Sequence, residues 1–215
     1  MNILNKTFDK IYVIGSFATQ NRYNDFNNKL KEEQIDIEWV IAPKKKYFLQ
    51  RWTEESPNLP GAWSHQSVVE SIFLKSKLLG LNNFLILEDD IIFDDHYINK
   101  FQAFYSTVSD NWQILNMGYH FHSKQVESNI YYKFDCGSYL IGTHAIAYKN
   151  DTFDIILNEL DICQHPFDIF LNNCIYNKFN TYVATEKMFY QSSYRSYEGD
   201  KNANYKKYVS GIDDK

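Results

Sequence analysis

The segment Phe84-Leu85-Ile86-Leu87-Glu88-Asp89-Asp90-Ile91-Ile92 constrains this chain most: an apolar run ends in three adjacent acids, with Asp94 and Asp95 close behind. An apolar run of strand length without helical spacing predicts a buried strand. In an extended chain Glu88 and Asp90 project to the same side, so two carboxylates face one point in space. Neighbouring anions repel and become compatible only by protonating or by sharing a cation, for which a hard divalent ion with oxygen ligands is the natural partner. The plainer reading is that the acids end a strand and face water. Position favours the metal, because ligands of open α/β sheets collect beyond the carboxyl ends of strands.

Lys10-Ile11-Tyr12-Val13-Ile14 predicts a first strand, with Gly15-Ser16 as the turn after it, and a polar helix follows from about Asn21 to Glu33. Asp36 to Ile41 predicts the next strand, which completes a βαβ unit of the nucleotide-binding kind. Gly15 has no glycine partners nearby, so the dinucleotide fingerprint of a Rossmann dehydrogenase is missing. From Ser64 to Leu79 apolar residues recur at helical spacing, and Gly80 stops the helix that leads into the acidic strand. Further on, helices are predicted over 96–108, 151–160 and 166–176 and strands over 113–117 and 144–148, a mixed α/β pattern. The expected organisation is a single catalytic domain over 1–185, then a polar, Tyr- and Lys-rich flap or tail over 186–215.

Composition narrows the partners. Aromatic residues make up 17%, more than a small core needs, and the surplus suits stacking on sugar or base rings. The net charge of -5 provides no global attraction to nucleic acid or anionic lipid. Two local stretches mix cations with aromatics: Lys44 to Trp52, which contains Lys45, Arg51 and Trp52, and more weakly Tyr194-Arg195-Ser196-Tyr197. Both would suit phosphates and flat rings of an acceptor, or equally a solvated loop whose aromatics cover the core edge. Cys136, Cys163 and Cys174 lack metal-type spacing and are odd in number, so buried free thiols are expected rather than a disulfide framework or structural zinc. The N-terminal residues lack a secretory apolar core, and no apolar run approaches the roughly 20 residues that span a bilayer. A soluble, cytoplasmic protein is expected.

Several separated blocks together resemble glycosyltransferase family 25, the lipooligosaccharide-biosynthesis type. Tyr12-Val13-Ile14 followed by Arg22 looks like that family's opening Val-Ile-Asn-Leu segment ending in Asp-Arg, with Gly15-Ser16 in place of Asn-Leu and Asn21 in place of Asp. Gly61-Ala62-Trp63-Ser64-His65 is similar to its Gly-x-x-x-Ser-His block at shortened spacing, and Leu87-Glu88-Asp89-Asp90-Ile91 to its Leu-Glu-Asp-Asp-Val. Trp112 to Gly118, Gly142-Thr143-His144-Ala145, Pro166-Phe167-Asp168 and Gln191-Ser192-Ser193 resemble later blocks in the same order.

The resemblance implies a GT-A type nucleotide-sugar-binding fold with a mixed, mainly parallel central sheet flanked by helices. It also implies a nucleotide-diphosphate sugar donor, a divalent ion such as Mn2+ or Mg2+, and transfer with inversion. On that footing Asp90, helped by Glu88 or Asp89, binds the metal; Glu88 is alternatively a ribose contact. Tyr12 and Arg22 flank the nucleotide, and Ser64 and His65 meet the donor at a helix start, where Ser64 serves equally as an N-cap. His144 completes the metal shell, touches the diphosphate or is a satisfied core histidine. Asp168 takes the acceptor proton or caps its helix. The acceptor stays open between a glycan, another hydroxylated polymer and, for a phage-encoded enzyme, a hydroxymethylated base in DNA; a nucleotide-sugar-binding protein without transfer is the remaining alternative.

Overall fold

The structure is a computed structural model and describes residues 1–15, 20–41, 60–108, 110–122, 130–162 and 166–191. Lys45, Arg51, Trp52 and Arg195, expected to touch the acceptor, lie outside the described residues, as do the side chains of Arg22 and Ser64.

Strand β1 (Lys10–Gly15) sends Ile11 and Val13 to one side of the sheet and Tyr12 and Ile14 to the other, and all four are buried. Strand β3 (Asn83–Glu88) repeats this with Leu85 and Leu87 opposite Phe84 and Ile86. A strand covered on both faces needs an apolar side chain at every position, which is why these segments read as continuous runs. Helices α3 (Pro60–Leu78) and α5 (Phe153–Ile162) cover one face through Val68, Val69, Ile72, Phe73, Phe153 and Ile156. Phe73 sits edge-on to Phe84, Tyr148 and Phe153, with ring centroids 4.9–5.5 Å apart; each such buried ring contributes about 1.5–3 kcal/mol over an exposed one. Helices α1 (Ile3–Thr7), α2 (Gln20–Glu32) and α4 (Tyr97–Thr107) cover the other face through Leu4, Phe26, Leu30, Phe101 and Phe104.

Adding β2 (Glu38–Ile41), β5 (Ile114–Gly118), β7 (Tyr131–Lys133), β9 (Ala145–Lys149) and β10 (Thr181–Ala184) gives a seven-stranded sheet of order β2-β1-β3-β9-β5-β10-β7. Five strands run one way, and β9 and β7 oppose them. The chain leaves β1 towards β2 on one side and returns through α3 to β3 on the other, so a topological switch point lies at the carboxyl ends of β1 and β3.

The acidic segment departs from the expected single strand. The chain turns at Asp89-Asp90, and Ile91–Phe93 becomes β4, which leaves the large sheet and pairs antiparallel with β11 (Phe189–Gln191). A second small sheet pairs β6 (Phe121–His122) with β8 (Leu140–Ile141). Met188 and Phe189 are buried in the core, where β11 packs. Helix α3 begins at Pro60, four residues before the expected start, and ends at Leu78, with Gly80 at φ +65° in the turn that follows. The segment expected as one helix over 166–176 is α6 (Phe167–Phe170), a π turn over Leu171–Ile175 and a 3-10 turn over Tyr176–Lys178. Cys136 is exposed and Cys174 half-buried, contrary to the expectation of buried thiols. Among the described residues no helix is long and apolar enough to cross a membrane.

Candidate active site

At the switch point β1 ends in Gly15, and the Asp89 backbone N–H donates to the Ile14 carbonyl at 3.0 Å. A Cβ at position 15 would lie 2.7 Å from the Trp39 ring and 3.1 Å from Asp89 Oδ2. Glycine is therefore required by close approach: an aromatic wall and an acidic group converge on its bare backbone. The wall consists of Trp39 on β2 and the exposed Tyr23 on α2, with ring centroids 4.9 Å apart. Trp39 is oriented by its indole N–H, which donates to Asn27 Oδ1 at 3.1 Å.

Glu88 closes β3. Its Oε1 accepts from the Thr143 hydroxyl at 2.5 Å and its Oε2 faces His144 Nδ1 at 3.1 Å, while His65 Nδ1 stands 3.9 Å from Oε1. Burial pushes the Glu88 carboxyl up, but the His144 bond, the charges of His65 and His144 and the Thr143 hydroxyl outweigh it and hold the pKa well below its ordinary value. His144 Nε2 is buried without a hydrogen-bond partner, beside Gly142 and the His120 ring. Gly142 has φ +95°, and a Cβ there would lie 3.0 Å from this nitrogen.

Asp89 and Asp90 are 8% and 7% exposed, so they do not face bulk water. Asp90 Oδ2 accepts from Gln191 Nε2 at 2.8 Å. His120 joins from the loop after β5, with its ring 4.3 Å from that of His144, almost perpendicular, and beside the Gln191 side chain. Desolvation where the ring packs on its neighbours, then the charge of His144, lowers its pKa to about 4, although the residue as a whole is exposed. A β-bulge at Asn116/Gly118, pinned by Asn116 Oδ1 accepting the Gly118 N–H, directs the chain towards this histidine.

Asp168 lies in the first turn of α6, half-buried, with Oδ1 accepting the Ile169 N–H at 2.9 Å. Burial raises its pKa, the Ile169 and Gly142 amides oppose the rise, and the Glu88 charge adds to it. Pro166 occupies the N-cap position. Asn172 ties this turn to β8: it accepts the Leu140 N–H at 2.8 Å and donates to the Asp168 carbonyl at 2.7 Å. The His65 ring is 5.7 Å from that of Phe167, which brings α3 to the same place.

Glu88, Asp89, Asp90, His65, His144 and Asp168 thus belong to one neighbourhood. Tyr12 does not: it is fully buried in the core against Phe84, and its hydroxyl accepts from Ser76 at 3.3 Å. It shares a face of the sheet with Ile14 and Glu88 but lies further from the carboxyl ends of the strands, under α3. Ser64 and His65 fall in the second turn of α3, so neither is a cap. Thr143, Trp39, Tyr23, His120 and Gln191 join the site without a sequence signal that marks them as site residues, although Thr143 and Gln191 stand inside the blocks quoted above.

Among the described residues no group of three or more His, Cys, Asp or Glu side chains is placed to hold a metal ion. Both Glu88 oxygens already have protein partners, Thr143 and His144. The adjacent carboxylates of Asp90 and Asp89 do fit a hard ion of the kind held by one or two carboxylates together with a substrate's phosphates.

The fold is a glycosyltransferase-like mixed α/β fold. A glycosyltransferase involved in the glycosylation of the major capsid of PBCV-1 superposes with a TM-score of 0.50 at 12% identity, covering 85% of this chain and 93% of that one. A197 from STIV gives 0.44 at 13% identity over 84% and 83% of the two chains. Mannose-1-phosphate geranyltransferase from Thermus thermophilus gives 0.42 at 9% identity over 85% and 74%. The first of these carries the fold assignment. No family model matches the chain and no curated protein matches it in sequence, so the likeness supports the fold and not membership of family 25.

Proposed function

We propose that this protein is a glycosyltransferase that uses a nucleotide-diphosphate sugar and a divalent cation. The observation that carries this is the convergence of an aromatic wall, a glycine and a row of acids at the switch point of a glycosyltransferase-like fold. Trp39 and Tyr23 offer flat faces to a base, and Gly15 lets the nucleoside approach the backbone. Charge supplies the argument for a cation. Glu88, Asp89, Asp90 and Asp168 are four carboxylates, against which the described cluster sets three imidazoles and Lys187, whose own pKa burial lowers. A diphosphate entering such a site meets repulsion unless a cation enters with it.

Asp90, with Asp89, would hold that ion. When bound, Mn2+ or Mg2+ neutralises charge on the departing diphosphate. Glu88 serves the site differently, by fixing the His144 ring and, through Thr143, the backbone leading into β9. Asp168 is the candidate base. A carboxylate whose pKa burial has raised is a stronger proton acceptor than a solvated one, and Asn172 and the Gly142 amide hold it in place. Transfer with inversion places such a base on the face of the sugar opposite the diphosphate.

The test is a calorimetric screen of nucleotide sugars and nucleoside diphosphates with and without Mn2+, followed by a transfer assay. Metal-dependent binding that Asp90→Asn abolishes, with Asp168→Asn still binding donor but not turning over, is the expected result. Binding that ignores both the metal and Asp90 overturns the metal reading. Tight donor binding without release of nucleoside diphosphate under any acceptor identifies a nucleotide-sugar-binding protein instead.

A further inference from the structure

The group that completes the acidic site comes from the last described strand, about a hundred residues beyond the acids. We propose that Gln191 is a positioning residue whose amide clasps Asp90 to His120 and thereby sets the carboxylate for a divalent cation; the proposal rests on the metal-assisted reading above.

Gln191 Nε2 donates to Asp90 Oδ2 at 2.8 Å, and the same side chain stands beside the His120 ring. With the amide nitrogen committed to Asp90, the amide oxygen is left to accept the imidazole N–H. This assignment defines one orientation, because a flipped amide would set oxygen against carboxylate and nitrogen against a donor. Both ends of the clasp are anchored independently. β11 is paired in register with β4, Gln191 opposite Ile91, one residue beyond Asp90. On the other side the Lys187 ammonium donates to the His120 carbonyl at 2.8 Å and lies 4.9 Å over the Tyr119 ring. The His120 backbone N–H also donates to the Ile141 carbonyl at 2.7 Å. A side chain held at both ends by fixed backbone can dictate where the group it touches points.

A carboxylate that ligates a cation performs best when a hydrogen bond orients it, and loss of such an outer partner typically costs about 10–100-fold in metal affinity.

The experiment measures Mn2+ affinity by electron paramagnetic resonance of the free ion on the full chain, alone and with a nucleoside diphosphate. It compares wild type, Gln191→Met, Asp90→Asn and the double variant, with thermal unfolding alongside. Methionine keeps the length of glutamine and removes its donor. Expected is a loss of roughly 10-fold or more in Mn2+ affinity for Gln191→Met, and no further loss when it is added to Asp90→Asn. If Gln191→Met does not fold, His120→Ala opens the other end of the clasp from an exposed position and should weaken Mn2+ by a smaller factor. Wild-type affinity in the foldable variants, or a loss that simply adds to that of Asp90→Asn, overturns the clasp. A wild-type protein that binds no Mn2+ even with nucleotide overturns the underlying metal reading instead, so the two failures are distinguishable.

Discussion

Replacement of Gly15 by alanine tests the geometry of the switch point directly. The added methyl would stand 2.7 Å from the Trp39 ring, where carbon atoms rest at about 3.5–4.0 Å, so the ring has to retreat by about 1 Å. Trp39 cannot do so freely, because Phe26 packs on it at 5.9 Å and Asn27 holds its indole N–H. Overpacking of this kind costs about 1–3 kcal/mol, which in a domain of this size lowers the unfolding midpoint by roughly 2–12 °C. The same movement disturbs the face offered to the base. With stacking worth about 1–3 kcal/mol per base, a nucleoside diphosphate should bind on the order of 10-fold more weakly, and Trp39 emission should shift. Gly80→Ala is the control. It also introduces a side chain, here at positive φ but into open space remote from the site, so it should lower stability by about 1–2 kcal/mol and leave nucleotide binding alone. Thermal unfolding and titration calorimetry on the three proteins decide the matter. A Gly15→Ala protein that melts and binds nucleotide like wild type would refute the close approach argued here.

Other outcomes follow from the same contacts. Glu88→Gln should abolish a pH-dependent part of the stability: because the folded-state pKa is depressed, the contribution is complete above the ordinary value of 4.5 and fades as the pH falls below it. Unfolding midpoints of wild type and variant should therefore converge in acid. Asp168 behaves oppositely, since its folded pKa is raised and its contribution is lost as pH rises through that value. Asp168→Asn should match or exceed wild-type stability at neutral pH while transfer falls about 10²–10⁴-fold, and a destabilised Asn variant would contradict this. Chelation of divalent ions should remove donor binding at neutral pH without unfolding the protein, as followed by calorimetry and circular dichroism.

The βαβ unit and the central strands are legible in the sequence because burial on both faces imposes an apolar residue at every position, as in Ile11 to Ile14 and Phe84 to Leu87. The helix behind them is legible too, through its period and Gly80. The turn at Asp89-Asp90 is not, since an apolar Ile91-Ile92 pair after the acids looks like more of the same strand. Only pairing with Phe189–Gln191 distinguishes it. β10 escapes a reading by pattern although Thr181-Tyr182-Val183 is rich in strand formers, because its four residues are too few to set a period. Asp89, Asp90, His65, His144 and Asp168 lie in one neighbourhood, whereas Tyr12, further from the carboxyl end of β1, packs into the core. Trp39 with Gly15, and Gln191 with Asp90, are contacts between distant segments, and no local pattern announces them.

The pairing of β4 with β11 joins the middle of the polypeptide to a segment translated much later. While a ribosome is still extending the chain, the two flanking cores can begin to collapse, yet the acidic turn has no partner strand and Asp90 no amide. Competence for chemistry should therefore arrive in one step once Phe189 to Gln191 has emerged, and nascent fragments lacking that strand should be inert however well their earlier helices and strands have formed.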